Sequence, residues 1–193
     1  MGCISGIIFG ILQFVALLFI AVGTPLAMYM PLNDNALHIH NGYCISLWGI
    51  RDRCLILLYS VSPNDVWAEC NGRVGRFKTA QVCAIAGAVI LAASMLGSFL
   101  DACCCYCIKY VCVLLNLLAA ALLAVSWGCM LDCYVHNQGS HIVGNVDVCT
   151  QMRNFTGVDN AHPEGMQLGA GFALLIAAFV ISFVNIFVMF IPC

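Results

Sequence analysis

The sixteen charged side chains of this 193-residue chain are placed so unevenly that they decide what it can fold into. They are Asp34, Arg51, Asp52, Arg53, Asp65, Glu69, Arg73, Arg76, Lys78, Asp101, Lys109, Asp132, Asp147, Arg153, Asp159 and Glu164. Four windows between them carry none: residues 1–33, 79–100, 110–131 and 165–193. The two shortest windows hold 22 residues each. As helix, that length reaches about 33 Å, enough for a hydrocarbon core of roughly 30 Å. A charge at the centre of such a helix would cost about 2.5–3.5 kcal/mol on insertion scales. In lipid each backbone polar group must be satisfied within its own segment, so the windows read as helices. The expected spans are about 4–28, 79–101, 108–131 and 166–191.

Composition agrees. Hydrophobic residues make up 63% and charged residues 8%, and mean hydropathy is +0.98, which excludes a water-soluble globule. Net charge is −2, so no basic surface exists to hold nucleic acid. A cleaved signal peptide fits poorly, because no basic residue precedes the first apolar run and that run is too long. The expected fold is a single-domain, α-helical membrane protein: a four-helix bundle carrying a small extracellular antiparallel β-sheet built from the first outer loop.

Four spans place both termini on one side of the bilayer. The two long loops, about 29–78 and 132–165, share the other side and hold fourteen of the sixteen charges and all five His. By the positive-inside rule these loops, with six of the seven Lys/Arg, would be cytoplasmic. Three features favour the reverse. Asn154-Phe155-Thr156 is a glycosylation sequon. Cys44 and Cys54 form a reasonable disulfide pair for an oxidising compartment. Cys103, Cys104, Cys105 and Cys107 crowd the short loop, where juxtamembrane cytosolic thiols are palmitoylation sites, with Cys3 a weaker candidate. The expectation is a multi-pass membrane protein with cytoplasmic termini and the long loops on the outer side.

Within the first long loop, Leu37–His40 and Tyr43–Trp48 alternate around Asn41-Gly42, a hairpin signal. Cys54–Val61 reads as a further strand, setting Cys54 opposite Cys44. Their ten-residue separation closes a loop worth about 2–3 kcal/mol in the chain-entropy model. Cys70, Cys133 and Cys149 leave three alternatives for a second bridge. Ser62–Asp65 reads as a turn. Trp48 reads as an apolar anchor, for the sheet core in preference to the bilayer surface.

Segment 44–54, CISLWGIRDRC, resembles the signature of the amastins, surface glycoproteins of trypanosomatid parasites. The match runs through Cys44, Ile45, Ser46, Leu47, Trp48, Gly49, Arg51 and Cys54, and departs at Arg53, where an acidic or small polar residue is usual. Residues 12–29, 66–81 and 169–175 (GAGFALL) are similar to amastin segments in the same order, so the resemblance covers the whole chain. A fainter resemblance to claudins rests on Trp48 and the cysteine pair, although the cysteine order differs. The resemblance implies a non-enzymatic surface glycoprotein at the parasite plasma membrane, in contact with host membranes or a host surface factor, or assembling laterally with itself.

Other chemistry is weaker. His38, His40, His136, His141 and His162 share a side of the membrane but form no tight zinc-ligand spacing. Neither a nucleophile–base pair nor a phosphate loop stands out, so neither a metal nor another cofactor is expected. Gln13, Asn116, Ser126, Ser182 and Asn185 are the polar residues of the spans and are expected to hydrogen-bond between helices. A small transporter or pore-former would need a denser, ionisable line, and a claudin-like barrier protein would polymerise side by side. Three stripes (Gly6 and Gly10; Ala84, Ala88 and Ala92; Gly165, Gly169, Ala173 and Ala177) are expected to serve packing inside the bundle before contacts between copies.

Overall fold

A computed structural model describes residues 3–32, 44–51, 54, 59–101, 108–143, 146–147, 149–155 and 165–188. In chain order the elements are α1 (Cys3–Gly23), β1 (Ala27–Pro31), β2 (Cys44–Ser46), β3 (Ile50–Arg51), α2 (Pro63–Val66), α3 (Asn71–Asp101), α4 (Ile108–Val135), β4 (Ile142–Val143), β5 (Val146–Asp147), β6 (Met166–Leu168) and α5 (Ala170–Val188). A 3-10 turn covers Met152–Asn154. Helices α1, α3, α4 and α5 are each long and apolar enough to cross a membrane.

The bundle is dressed for lipid. Its outward side chains include Ile7, Ile11 and Phe14 on α1, Val82 and Val89 on α3, Leu114 and Leu117 on α4, and Phe183 and Phe187 on α5, all exposed. Its polar side chains point inward instead. Gln13, Asn116 and Asn185 are buried to 1% or less exposure. Gln13 Nε2 donates to Ser94 Oγ (3.2 Å) and Asn116 Oδ1 (3.3 Å), tying α1 to α3 and α4. Asn116 Nδ2 donates to the Ser182 carbonyl (2.8 Å), and Asn185 Nδ2 to the Phe9 carbonyl (3.2 Å), which brings in α5. Ser126 Oγ donates to the Ala80 carbonyl (2.9 Å). Ser182 departs from expectation: its hydroxyl bonds back to the Ala178 carbonyl in its own helix (2.8 Å), as serines within helices do. Ser94 is a further member, donating to the Cys112 carbonyl (3.3 Å).

The helix boundaries differ from those the sequence suggests, and the differences build the lobe at the charged end. α1 stops at Gly23, not near 28, because Pro25 lacks the N–H that a continuing helix would need. The apolar residues Ala27–Pro31 that follow are a strand. α5 starts at Ala170, not near 166, and Met166–Leu168 is also a strand. Gly165, taken as part of a helical stripe, lies outside the helix at φ 82°. α3 begins at Asn71, not near 79, and α4 continues to Val135, past 131. At about 1.5 Å per residue these two helices reach roughly 46 and 42 Å, so their charged ends stand clear of the hydrocarbon. Arg76 Nε and Asp132 Oδ2 pair there, between α3 and α4.

The sheet has strand order β3-β2-β1-β6, with every neighbouring pair antiparallel. Tyr29 stands opposite Ile45 on one side and Leu168 on the other. The sheet therefore draws on both long loops, where the sequence suggested the first alone. The expected hairpin across Asn41-Gly42 falls largely on residues 33–43, outside the described residues. β2 takes its neighbours from Ala27–Pro31 and Ile50–Arg51 instead. Of the strand expected at 54–61, Cys54 lies in a turn and Val61 makes a single bridge to Ile50, while residues 55–58 are outside the described set. Pro63–Val66 is one helical turn capped by Ser62, whose Oγ accepts from Asp65 N.

The small residues at the α1–α5 junction are used for close approach. A Cβ on Gly171 would lie 2.6 Å from the Gly23 carbonyl oxygen and 2.7 Å from that of Leu26. By contrast, a Cβ on Gly6 would meet nothing within 4 Å. Gly171→Ala is therefore expected to prevent assembly of the folded protein, whereas Gly6→Ala leaves it intact; monodispersity in detergent separates the two. Asn116→Ala removes bonds to α1 and α5 together. It should lower stability by about 1–2 kcal/mol, the upper part of the range for interhelical bonds in membranes, read from denaturant titration in detergent.

Candidate functional site

The lobe at the charged end is the part of the molecule that presents polar structure, and three locks hold it together. The first is the hairpin β2–β3. Ser46 Oγ accepts from the backbone N–H of Trp48 and Gly49 (3.2 Å each) and donates to the Gly49 carbonyl (2.9 Å), closing a tight turn. A Cβ at Gly49 would lie 2.7 Å from the Val61 carbonyl oxygen, so no side chain fits. Arg51 is 2% exposed. It donates to the Pro25 carbonyl and to Tyr59 Oη (3.0 Å), and its guanidinium lies 4.7 Å from the Tyr59 ring centroid. Thus Arg51 ties the hairpin to the turn that ends α1. Gln81 Nε2 of α3 donates to the Leu47 carbonyl (2.8 Å), and Leu47 is fully buried. Cys44 and Cys54 are joined by a disulfide with a Cα–Cα distance of 5.1 Å. Every residue of the signature segment that the structure describes therefore has an architectural task.

The second lock joins the two long loops. Cys70 bridges Cys149 (Cα–Cα 5.6 Å), which leaves Cys133 a buried free thiol and settles the alternatives for the second bridge. Beside it, Arg73 is fully buried. Its guanidinium lies 4.4 Å from the Trp67 ring centroid and 5.9 Å from that of Phe155, and it donates to the Thr150 carbonyl. Trp67 and Phe155 meet edge to face at 5.3 Å. A cation between two rings in a desolvated site is worth about 2 kcal/mol or more. Trp67, Cys70 and Arg73 are spaced three residues apart across the turn that leads into α3, and each meets the second long loop: Trp67 at Phe155, Cys70 at Cys149 and Arg73 at Thr150. The sequence carried this spacing, but a tryptophan, a cysteine and an arginine announce no partner until the other loop is placed.

The third lock is Tyr29 at the centre of the sheet. It is fully buried, donates to the Met130 carbonyl (2.5 Å), and stacks on Tyr134 at 6.3 Å. Burial pushes its phenol well above the usual value, so it remains a donor.

Around these locks sit the exposed features. Asn154, the sequon asparagine, is exposed in the 3-10 turn. Ile142 on the β4–β5 hairpin is 70% exposed. His136 Nδ1 is 2.9 Å from Asp132 Oδ1, and the His141 backbone N–H donates to Asp147 Oδ1 (3.0 Å). His38, His40 and His162 lie outside the described residues, as do Arg53 and Cys103, Cys104, Cys105 and Cys107. Cys3 opens α1. Trp48 is half-buried and packs on the core, the role favoured for it, while also lining a cleft between α1 and α3.

Asp147 Oδ1 also accepts from the Cys149 N–H (2.9 Å). These two backbone bonds hold its carboxyl below the usual carboxylate range. The sign follows: the ionised form supports the loop above the unfolded pKa of about 3.9, and that support is lost as pH falls through the lower folded value. Amide exchange at His141 and Cys149 should stay protected at pH 5 and lose protection only in stronger acid; Asp147→Asn should remove the acid step. For the bridges, a separation of 79 residues against 10 makes the Cys70–Cys149 loop the costlier to open, roughly 4–5 against about 2–3 kcal/mol. Replacing Cys70 and Cys149 by Ser should lower the thermal midpoint further than replacing Cys44 and Cys54.

No curated protein and no solved structure matches the chain. The family model described as amastin surface glycoprotein matches residues 14–189. That match spans the second half of α1, the signature hairpin, the Trp67–Arg73 unit and the whole of α3, α4 and α5. The chain belongs to the amastin family of surface membrane glycoproteins.

Proposed function

We propose that this amastin is a non-enzymatic, multi-pass plasma-membrane protein with cytoplasmic termini. It presents the lobe outside the cell for adhesion: contact with a host membrane or host surface factor, or lateral assembly. The observation that carries this reading is the union of two loops far apart in sequence into one body by the Cys70–Cys149 bridge and the β1–β6 pairing. A rigid lobe suits recognition, because little ordering entropy is lost on contact. Two disulfides suit an oxidising compartment, and Asn154 stands exposed on the same lobe, open to a glycan.

A transporter or pore is the alternative. The amides of Gln13, Asn116 and Asn185 bond to neighbouring helices, and no Asp, Glu, Lys, Arg or His lies in the four charge-free windows, so the interior favours packing over conduction. A claudin-like barrier protein is the other rival, and it would polymerise laterally.

An epitope placed at Asn64, which is exposed on α2, should bind antibody on intact cells. Vesicles carrying the full chain should adhere to target cells, lose that adhesion when Cys70 and Cys149 are Ser, and retain an ionic tracer. Epitope staining that requires permeabilisation would reverse the topology, and rapid tracer loss would favour the pore. Crosslinking into long ladders through single lobe cysteines would favour the barrier protein.

A further inference from the structure

Along the bilayer side of the bundle, α1 and α3 leave an open cleft of about 430 Å³. Phe14, Leu18 and Ala21 line it from α1, and Ala84, Ala88 and Met95 from α3. At its lobe end stand Thr24 and Trp48. From Thr24 to Phe14 is ten residues, about 15 Å of helix, or half of a core of roughly 30 Å. The cleft therefore occupies one leaflet, beginning at the interface where tryptophan indoles settle.

The polarity of this cleft is ordered along its length. Below the mouth the wall is apolar, and alanines at 21, 84 and 88 leave it shallow relief. At the mouth, among the described residues, neither the Trp48 indole N–H nor the Thr24 hydroxyl has a hydrogen-bond partner in the protein. Every lining residue is uncharged, and Arg51, bonded to Pro25 beside the mouth, is buried and already engaged. A phosphate headgroup would find no cation on this wall. A neutral hydroxyl on a flat, rigid apolar body matches it: the hydroxyl meets one donor and one donor–acceptor, and the rings lie on the alanines. Trp48 belongs to the signature hairpin and is held by the Ser46 turn, so the mouth is preformed.

We propose that the α1–α3 cleft binds a membrane sterol, with its hydroxyl between Trp48 Nε1 and Thr24 Oγ1 and its ring system along Ala21, Ala84 and Ala88. The site is independent of the adhesive reading of the lobe, since it faces lipid.

The full chain in phosphatidylcholine vesicles containing a photoreactive sterol tests this. Irradiation should label peptides from α1 and α3 saturably, and unlabelled sterol should compete where added phosphatidylcholine does not. Ala88→Phe, which fills the cleft, should abolish the saturable labelling. Trp48→Phe keeps an aromatic ring but removes the N–H, and should weaken it about fivefold, the effect of one hydrogen bond. Leu114→Phe, on the exposed face of α4, should leave it unchanged. Labelling spread evenly over the four helices would overturn the proposal, as would full labelling of Ala88→Phe with both disulfides intact. A photoreactive phosphatidylcholine that labels the same peptides and displaces the sterol would overturn it in favour of a phospholipid. If Ala88→Phe fails to fold, the Trp48→Phe affinity and the wild-type competition decide between these outcomes.

Discussion

A bilayer core offers neither donor nor acceptor, so each peptide group that crosses it must bond within its own segment, and each polar side chain there must find another. In this chain that demand reaches every level. It makes the charge-free windows helical, and it turns Gln13, Asn116 and Asn185 inward, where they join α1, α3, α4 and α5. Individually such bonds are modest, about 0.6 kcal/mol on average. Their value lies in register: an amide that must meet a particular carbonyl fixes how the helices are rotated and how far they slide. The lipid-facing apolar residues cannot do that, since lipid tails contact any apolar surface equally well.

Outside the hydrocarbon the problem is reversed. Backbone groups can bond to water, so the lobe needs other means of holding one shape. It uses two disulfides, a buried arginine between aromatic rings and a buried tyrosine hydroxyl, all close to the ends of the helices. The long helices α3 and α4 carry Arg73, which meets Trp67, and Tyr134, which stacks on Tyr29, up into the lobe, while β1 and β6 sit directly on the ends of α1 and α5. Lobe and bundle are therefore mechanically continuous. Trp48 shows this most directly: one residue belongs to the hairpin of the lobe and to the wall of a lipid-facing cleft.

Particular elements show where sequence reasoning stopped. Ala27–Pro31 is apolar and follows an apolar helix, so neither period nor composition marks the change from helix to strand; Pro25 alone hinted at it. Met166–Leu168 likewise reads as the start of the last span. Both are strands because each supplies the other with a partner, across a separation that no local pattern can express. The same holds for Cys70. Three candidate bridges were equal in the sequence, and the choice of Cys149 followed from where Trp67, Arg73 and Phe155 pack. The signature segment was legible as a motif, yet the tasks of Ser46, Gly49 and Arg51 are visible only with Val61, Pro25 and Tyr59 beside them.

The sequence by itself determined the partition between lipid and water, because the cost of placing a charge in hydrocarbon is local and is read residue by residue. It also determined the family, through a spaced motif and an ordered set of segments. Only the tertiary structure decided the strand order, the second disulfide, the burial of Arg73 and the cleft beneath Trp48. Each of these depends on which distant segments meet, and that is set by packing over the whole chain, not by any one stretch of it.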